Sequence, residues 1–354
     1  MEQPKIEIIL EQVAIRKASD LHMQVGLPPM LRVDGALLPI SGMKALDGPT
    51  LESLIFSLLD DEQKQVFARE KEFDFSFAFG ELGRFRVNLF HEKGNLAGAF
   101  RLLINEIPTI EQLKLPPIID KLTDYPRGLV LVTGPTGSGK TTTLAAMINR
   151  INQEKAVHII TVEDPIEYTH KSKQSVIVQR EVHYDTYSFS AALRSVLRED
   201  PDVVLLGEMR DLETIANAIT VAETGHLVLA TLHTNGASQS VDRMIDVFPP
   251  HQQPQVRSQL SNILMAIVSQ RLVPSVGGGR IPAVEIMIAT PAVRNLIREG
   301  KSSQLEAIIQ TGSEFGMQSM DKTLVNLVHR GEISYDEARN YAVDLGELDR
   351  LMRE

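Results

Sequence analysis

The sequence predicts an α/β nucleotide-binding domain that follows a small α+β domain and precedes a helical region. Three observations carry this prediction. A glycine-rich phosphate motif stands between an apolar run and a helical stripe at residues 128–151. Behind it, short apolar runs alternate with helical stretches, as in a doubly wound parallel sheet. Ahead of it, Phe73, Phe75, Phe77 and Phe79 alternate with other residues, which is typical of a strand with one buried face.

The composition limits the class of protein. The chain has 354 residues, a net charge of −10 and no cysteine, so about two domains are expected, and disulfides, thiolate zinc sites and iron–sulfur clusters are excluded. The acidic balance argues against nucleic-acid binding, which depends on an excess of lysine and arginine. No apolar run approaches the ~20 residues that cross a bilayer, and the N-terminus lacks a signal-peptide pattern. We therefore expect a cytoplasmic protein without membrane insertion.

The first hundred residues mix helical and strand patterns, and we assign residues 1–107 to the α+β domain. Asp34-Gly35 is a hairpin signal. Leu115-Pro116-Pro117 marks a break, because two prolines interrupt regular structure, so the linker is placed at 108–118. The elements predicted before it are helices over 6–17 and 51–59, a helix opening at 60–61, and strands at 21–25, 31–33, 73–79, 83–90 and 96–104.

Residues 119–289 read as strand, loop and helix in repetition, which is the pattern of a parallel α/β core. From residue 290 to 354 the chain is mostly helical, and Ser334-x-x-Glu337 is a capping-box signature. The predicted strands of the core are 129–132, 159–162, 203–206, 227–232 and 283–288.

The phosphate motif at residues 134–141 fits G-x-x-x-x-G-K-[ST] at every fixed position. It opens a helix, whose N-terminal N–H groups and dipole favour an anion, so the loop is predicted to bind a nucleoside triphosphate. Lys140 is expected to reach the terminal phosphates, and the Thr141 hydroxyl to ligate Mg²⁺. The predicted nucleotide contacts here are Gly134, Pro135, Thr136, Gly137, Ser138, Gly139, Lys140, Thr141 and Thr142.

Two later strands end in acidic residues: 159–162 runs into Glu163-Asp164, and 203–206 runs into Gly207-Glu208. Triphosphate hydrolysis needs an acid that holds Mg²⁺, often through water, and a carboxylate that orients or deprotonates the attacking water. For either acid alone, a helix cap or a salt bridge is the alternative. Two such strand ends behind a complete phosphate loop favour the catalytic interpretation.

His226 and His233 bracket a third strand. A single histidine is more often a hydrogen-bonded structural residue than a catalyst. The second one, however, ends a strand beside the expected nucleotide site, where it could sense the γ-phosphate. Metal binding by the pair is disfavoured, because no third ligand accompanies them.

Four motifs in the expected order resemble the secretion ATPase superfamily, in the branch of the type IV pilus retraction motors: residues 134–141, 162–167, 207–211 and 224–235. Ser19-Asp20-Leu21-His22 and residues 83–88 resemble the N-terminal domain of that family. The resemblance implies a PAS-like N-terminal domain and a RecA-like ATPase core, which binds ATP and assembles as a homohexamer.

The resemblance also implies roles for individual residues. Glu163 would activate water, Glu208 would assist Mg²⁺ binding, and His226 and His233 would form a histidine box, with His226 near the nucleotide. N-terminal arginines complete the site in that family, and Arg84, Arg86 and Arg101 are the matching candidates. Surface ion pairing is the alternative for each of them.

Within the superfamily, the lack of cysteine disfavours the extension and secretion branch, which usually carries a four-cysteine zinc insertion. Residues 291–299 resemble a retraction motif, with Val293 where isoleucine is usual, whereas residues 335–354 are similar to an accessory paralogue. We expect a motor for pilus retraction and twitching motility at the inner face of the cytoplasmic membrane. Its partners would be a membrane platform protein, the pilus base and a paralogous retraction ATPase. The alternatives are an accessory retraction ATPase, a type II secretion-type ATPase, and a nucleotide-gated scaffold with negligible hydrolysis.

Overall fold

The computed structural model describes residues 5–33, 35–80, 83–103 and 106–353. They divide into two compact units, one of the residues up to Glu106 together with Glu167–Thr169, and one of Ile107–Ile166 together with His170 onward. Within the described ranges, no helix has both the length and the apolar composition needed to cross a membrane.

The first unit is built on an antiparallel sheet of strand order β3-β2-β1-β6-β5-β4. Phe85 and Phe100 lie fully buried at its centre, and this α+β architecture agrees with the prediction. The described elements are α1 (Ile6–Ile15), β1 (Asp20–Gln24), β2 (Met30–Val33), β3 (Ala36–Pro39), α2 (Gly48–Phe56), α3 (Asp61–Glu70), β4 (Glu72–Phe79), β5 (Gly83–Glu92) and β6 (Asn95–Leu103).

Local chemistry sets the helix starts of this unit. Asp47 caps α2 by accepting from the Thr50 N–H, so that helix begins before the predicted residue 51. Asp60 and Gln63 form a reciprocal capping box at the start of α3, where the sequence predicts a helix to open. The predicted hairpin joins β2 to β3, although its first turn residue, Asp34, lies outside the described residues.

The second unit is built on a sheet of strand order β13-β12-β7-β11-β10-β8-β9, parallel except for the pairing of β13 with β12. Its described strands are β7 (Gly128–Thr133), β8 (His158–Glu163), β9 (Val176–Glu181), β10 (Val203–Leu206), β11 (Leu227–Leu232), β12 (Leu264–Pro274) and β13 (Arg280–Ile288). Its described α-helices are α4 (Ile118–Leu122), α5 (Lys140–Glu154), α6 (Phe189–Val196), α7 (Leu212–Glu223), α8 (Ala237–Asp246), α9 (Gln253–Ile263), α10 (Pro291–Glu299), α11 (Leu305–Thr311), α12 (Met320–His329), α13 (Tyr335–Tyr341) and α14 (Leu345–Leu351).

The central strand β7 is buried at every position. Leu129 and Leu131 join the apolar cluster on one face of the sheet, and Val130 and Val132 join the cluster on the other. Because successive side chains of a strand point to opposite faces, this alternation requires helices on both sides. The unbroken apolar runs of the sequence follow from that double burial.

Two described strands of the second unit were not predicted. β12 contains Ser269-Gln270-Arg271, which interrupts its apolar run, and β9 is an edge strand in which three apolar residues are followed by Gln179, Arg180 and Glu181. In both strands, polar side chains make specific hydrogen bonds to neighbouring segments.

The helices after Ile288 belong to the same compact unit as the sheet. The Thr323 hydroxyl of α12 donates to the Val284 carbonyl of β13 at 2.6 Å. Ser334 accepts from the Glu337 N–H at the start of α13, at the position of the predicted cap. The last helices therefore extend the core from β13.

Candidate nucleotide site

The phosphate loop spans residues 134–139 between β7 and α5. Gly134 and Gly139 have φ values of 146° and 86°, and both lie against Gln270 of β12. A Cβ atom at Gly134 would stand 2.2 Å from the Gln270 carbonyl oxygen, and one at Gly139 would stand 2.8 Å from its side-chain nitrogen. The backbone oxygen excludes a Cβ at Gly134, and the positive φ values at both positions are ones that L side chains rarely adopt, so both positions favour glycine.

Lys140 begins α5 and is 91% buried, with a relative exposure of 9%. Its Nζ donates to the carbonyl oxygens of Gly134 at 2.8 Å and Pro135 at 3.0 Å. These bonds hold the ammonium group over the loop, at the N-terminal end of a helix of 15 residues. Positive charge and helix dipole therefore coincide at one place, as an anion site requires.

Glu163 ends β8 and is buried. Its Oε1 accepts from the Thr161 hydroxyl at 2.7 Å and from Gln179 Nε2 at 3.2 Å. The other end of the Gln179 amide accepts from the His170 backbone N–H at 2.7 Å. Thr161 and Gln179 are paired across β8 and β9, so two neighbouring strands fix the orientation of this carboxylate.

Glu208 follows β10 and contacts two basic side chains. Arg210 Nε and His233 Nε2 both approach its Oε1, the latter at 3.0 Å. Burial alone would raise the pKa of Glu208, but the hydrogen bonds and charges of Arg210 and His233 outweigh it and lower the pKa. Glu208 is therefore ionised at neutral pH.

The strand order brings these groups to one edge of the sheet. β8, β10, β11 and β7 are consecutive and parallel. Glu163, Glu208 and His233 stand at or just beyond the carboxyl ends of their strands, and the phosphate loop leaves the carboxyl end of β7. Ligands of open α/β sheets bind at this edge.

His226 lies at the opposite edge, before the first residue of β11. A strand of six residues separates it from His233, which at ~3.3 Å per residue is a separation of about 20 Å. Its Nδ1 lies 2.9 Å from the Val221 carbonyl oxygen, at the end of α7. The structure therefore does not bring His226 to the phosphate loop of its own chain, and gives it a helix-capping contact instead.

The three candidate arginines share one face of the N-terminal sheet. Arg84 and Arg86 alternate with the buried Phe85, and Arg86 pairs across the strands with Arg101. Arg84 donates to the Ser76 hydroxyl, and Arg101 forms an ion pair with Asp20 at 2.9 Å. The strands of the two N-terminal motifs, β1 and β5, lie on either side of β6 and pair with it.

Oxygen ligands suited to Mg²⁺ are present at the carboxyl edge. No group of three or more His, Cys, Asp or Glu side chains in the described part of the chain could hold a metal by itself. Magnesium at a triphosphate needs few protein ligands, because phosphates and water supply the others. The Thr141 hydroxyl and the ionised Glu208 fit that requirement. Since Arg210 and His233 already contact Glu208, binding through water suits it better than direct coordination.

A cavity of about 310 Å³ lies beside the loop and was not predicted. Gly139 and Thr142 form one wall, and the hairpin of β12 and β13 forms another through Leu272, Ile281 and Pro282. The lining also includes polar and charged side chains, among them Lys114 and Arg280. A cavity with both apolar and polar walls next to a phosphate site suits the nucleoside part of a nucleotide. Gly139 and Thr142 are among the predicted nucleotide contacts, but no local sequence pattern marks the hairpin residues, because they meet the loop only in the folded sheet.

Comparison with known proteins agrees with this geometry. A family model described as "Type II/IV secretion system protein" matches residues 104–278. The type IV pilus retraction ATPase PilT of Pseudomonas aeruginosa is 51% identical over 92% of this chain and 94% of its own length. The chain belongs to the PilT family of secretion ATPases. The predicted resemblance is confirmed, and with it the identification as a P-loop ATPase.

Two further PilT-family proteins are similar over almost the whole chain. A crystal structure of the pilus retraction motor PilT with bound ADP has a TM-score of 0.93 at 46% sequence identity, and covers 98% of this chain and 99% of that one. The type IV pilus ATPase PilU of P. aeruginosa is 40% identical over 98% of this chain and 91% of its own length. The predicted RecA-like core with its helical C-terminal region is thereby confirmed.

Proposed function

We propose that this protein is an ATP-hydrolysing motor that powers the retraction of a type IV pilus. One observation carries the proposal: a complete phosphate loop, the buried and oriented carboxylate of Glu163, and the ionised carboxylate of Glu208 stand at one edge of a sheet. The chain that holds them is 51% identical to a named retraction ATPase. The loop binds the nucleotide, and the two acids supply what hydrolysis needs beyond binding.

Each residue of the site is proposed to have a separate role in binding or hydrolysis. Lys140 and the loop N–H groups hold the terminal phosphates, and the cavity beside Gly139 holds the nucleoside. Thr141, and Glu208 through water, hold Mg²⁺, which when bound neutralises charge on the phosphate oxygens. Glu163, oriented by Thr161 and Gln179, orients the attacking water and accepts its proton.

The working form is proposed to be a homohexamer. In the hexamer, Arg84, Arg86 and Arg101 add positive charge near the transferring phosphate. An arginine that stabilises a transferring phosphate in this way raises the rate of hydrolysis by roughly 10³–10⁵. The side chain of Arg101 is 64% exposed, which supports its access to a phosphate. We further propose a peripheral position at the inner face of the cytoplasmic membrane, with a platform protein, the pilus base and a paralogous retraction ATPase as partners.

An accessory retraction ATPase is the second candidate, because PilU of P. aeruginosa is 40% identical over 98% of this chain. The higher identity to PilT, 51%, favours the main motor. Expression in a strain that lacks both ATPases separates the two functions. The main motor restores retraction alone, and an accessory protein does not.

Hydrolysis is tested by phosphate release from the purified chain. Lys140→Ala is expected to abolish turnover, because it removes the charge that meets the terminal phosphates. Lys121→Ala, at an exposed lysine of α4, is the matched control and should turn over at the wild-type rate. Wild-type turnover in Lys140→Ala would contradict the proposed site, and absence of turnover in the unmodified chain would support the scaffold alternative.

A further inference from the structure

Gln270 of β12 stands behind the phosphate loop with a relative exposure of 3%. Both ends of its side-chain amide are used. Nε2 donates to the Ser138 carbonyl oxygen at 2.7 Å, and Oε1 accepts from the Thr143 hydroxyl at 2.8 Å. Ser138 belongs to the loop and Thr143 to the first turn of α5, so one amide joins both to the strand beside them.

We propose that Gln270 is a positioning residue for the nucleotide site: it sets the direction of the loop N–H groups that bind phosphate. This inference rests on the proposed function of the loop in binding a nucleoside phosphate. Gln270 itself does not contact the reacting atoms.

The geometry of the peptide bond supports the proposal. In a trans peptide, the carbonyl oxygen and the following N–H point in opposite directions. The hydrogen bond from Gln270 turns the Ser138 carbonyl towards β12. The N–H of Gly139 is therefore directed away from β12, and it stays so while that hydrogen bond is intact.

Packing shows on which side of the loop a phosphate can lie. The Gln270 carbonyl oxygen is 2.2 Å from the place of a Cβ at Gly134, and its Nε2 is 2.8 Å from the place of a Cβ at Gly139. Beside Gly134 and Gly139, the space between the loop and β12 is thus occupied by Gln270. A phosphate has to lie on the opposite side, to which the Gly139 N–H is directed.

The chemistry of this position is specific to glutamine, because one bond needs a donor and the other an acceptor. Glutamate has the same length but cannot donate to the Ser138 carbonyl when it is ionised, and leucine has a similar volume without either function. The Thr143 hydroxyl can be changed separately. Thr143→Val removes one of the two bonds, whereas Thr143→Ser retains it.

The test is the binding of ADP and the steady-state turnover of Mg-ATP by the full chain. Gln270→Leu is expected to raise the Kd for ADP and the KM for ATP at least about tenfold, since two buried loop groups lose their partners. Thr143→Val should raise both about threefold to fivefold, and Thr143→Ser should restore most of the affinity. Gln259→Leu, at a half-buried glutamine of α9 bonded to Glu223, is the matched control and should bind ADP as the wild type does.

Melting temperatures measured with and without ADP separate positioning from a general contribution to stability. A positioning role predicts that the ADP-induced rise in melting temperature shrinks in Gln270→Leu. A variant that melts lower without ADP but keeps the wild-type rise and Kd would overturn the proposal. If Gln270→Leu does not fold, equal ADP affinity of Thr143→Val and Thr143→Ser would overturn it. The proposed hydrolysis fails if the wild type binds ADP but does not turn over ATP. In that case the ADP affinities of the variants still test the proposal for Gln270.

Discussion

Glu163, the carboxylate proposed to activate water, shows how much the orientation of one side chain depends on its neighbours. Its Oε1 is held by Thr161 and Gln179, and each of these lies on a strand of the sheet. Both donors restrict rotation of the carboxylate. A base that must meet one water molecule gains from such restriction, because misorientation lowers the fraction of productive complexes.

Thr161→Val tests this orientation, since valine keeps the shape of threonine and loses the hydroxyl. We expect kcat for ATP to fall about tenfold and the Kd for ADP to stay unchanged, because a carboxylate that has lost one donor is less well oriented. Thr161→Ser keeps the donor and serves as the control. A wild-type kcat in the valine variant would show that the hydroxyl does not orient Glu163.

His170 links stability to pH. Its ring is largely buried, and Nδ1 has no hydrogen-bond partner among the described residues. Burial, together with the charge of Lys173, lowers its pKa from 6.5 to about 4. In the unfolded chain the same histidine takes up a proton near pH 6.5. Between these two values the unfolded state binds more protons, so stability falls as the pH is lowered from 6.5 to about 4.

His170→Gln is predicted to remove this dependence. Between pH 7 and pH 4, the free energy of unfolding of the wild type should fall by up to roughly 3 kcal/mol more than that of the variant. Urea denaturation at a series of pH values measures the difference. His251→Gln, at an exposed histidine, should follow the wild-type curve. Parallel curves for wild type and His170→Gln would contradict a neutral buried ring.

At the level of elements, α10 contains the segment 291–299 that resembles a retraction motif. Arg294 donates to the Ser261 and Asn262 carbonyls at 2.7 and 2.6 Å and to Ala289 at 2.9 Å. Ser261 and Asn262 lie in the last turn of α9, whose carbonyls have no partner within the helix. Val293, which stands where isoleucine is usual, is fully buried. Arg294 therefore joins two helices through a C-terminal cap.

Arg294→Ala is expected to destabilise the second unit by roughly 1–3 kcal/mol, because three backbone carbonyls lose a charged donor. Asn295→Ala, which loses only an exposed contact with Glu299, should stay within ~0.5 kcal/mol of the wild type. Thermal or urea unfolding gives both values. Equal stability of the two variants would contradict a stabilising role of Arg294 as a cap of α9.

The helices and strands also show how much of the fold the sequence can predict. β7, β8, β10 and β11 lie within about two residues of their predicted bounds, because apolar residues fill those bounds except at Thr161 of β8 and Thr231 of β11. The phosphate loop and the two strand-end acids are local patterns and could be predicted as well. Gln270 could not, because its partners Ser138 and Thr143 lie 132 and 127 residues away in the chain. His226 and His233 stand before and after β11 in the sequence, so their separation by that strand could be predicted, whereas the resemblance alone implied that His226 lies near the nucleotide.

On the scale of the whole molecule, two compact units share one chain, and the nucleotide loop belongs to the second. The candidate arginines belong to the first, on a face of its sheet opposite Phe85. A motor needs hydrolysis to be linked to movement, so the chemistry at Glu163 should be required for motion and not only for binding.

The central claim is tested most directly by the retraction rate of labelled pili in living cells. The host strain should lack its own retraction ATPases and carry either the wild-type chain or Glu163→Gln. We predict that the wild type restores retraction, and that Glu163→Gln, which keeps the loop and should still bind ATP, does not. Retraction at the wild-type rate with Glu163→Gln, or no retraction with a wild-type chain that hydrolyses ATP, would contradict the account.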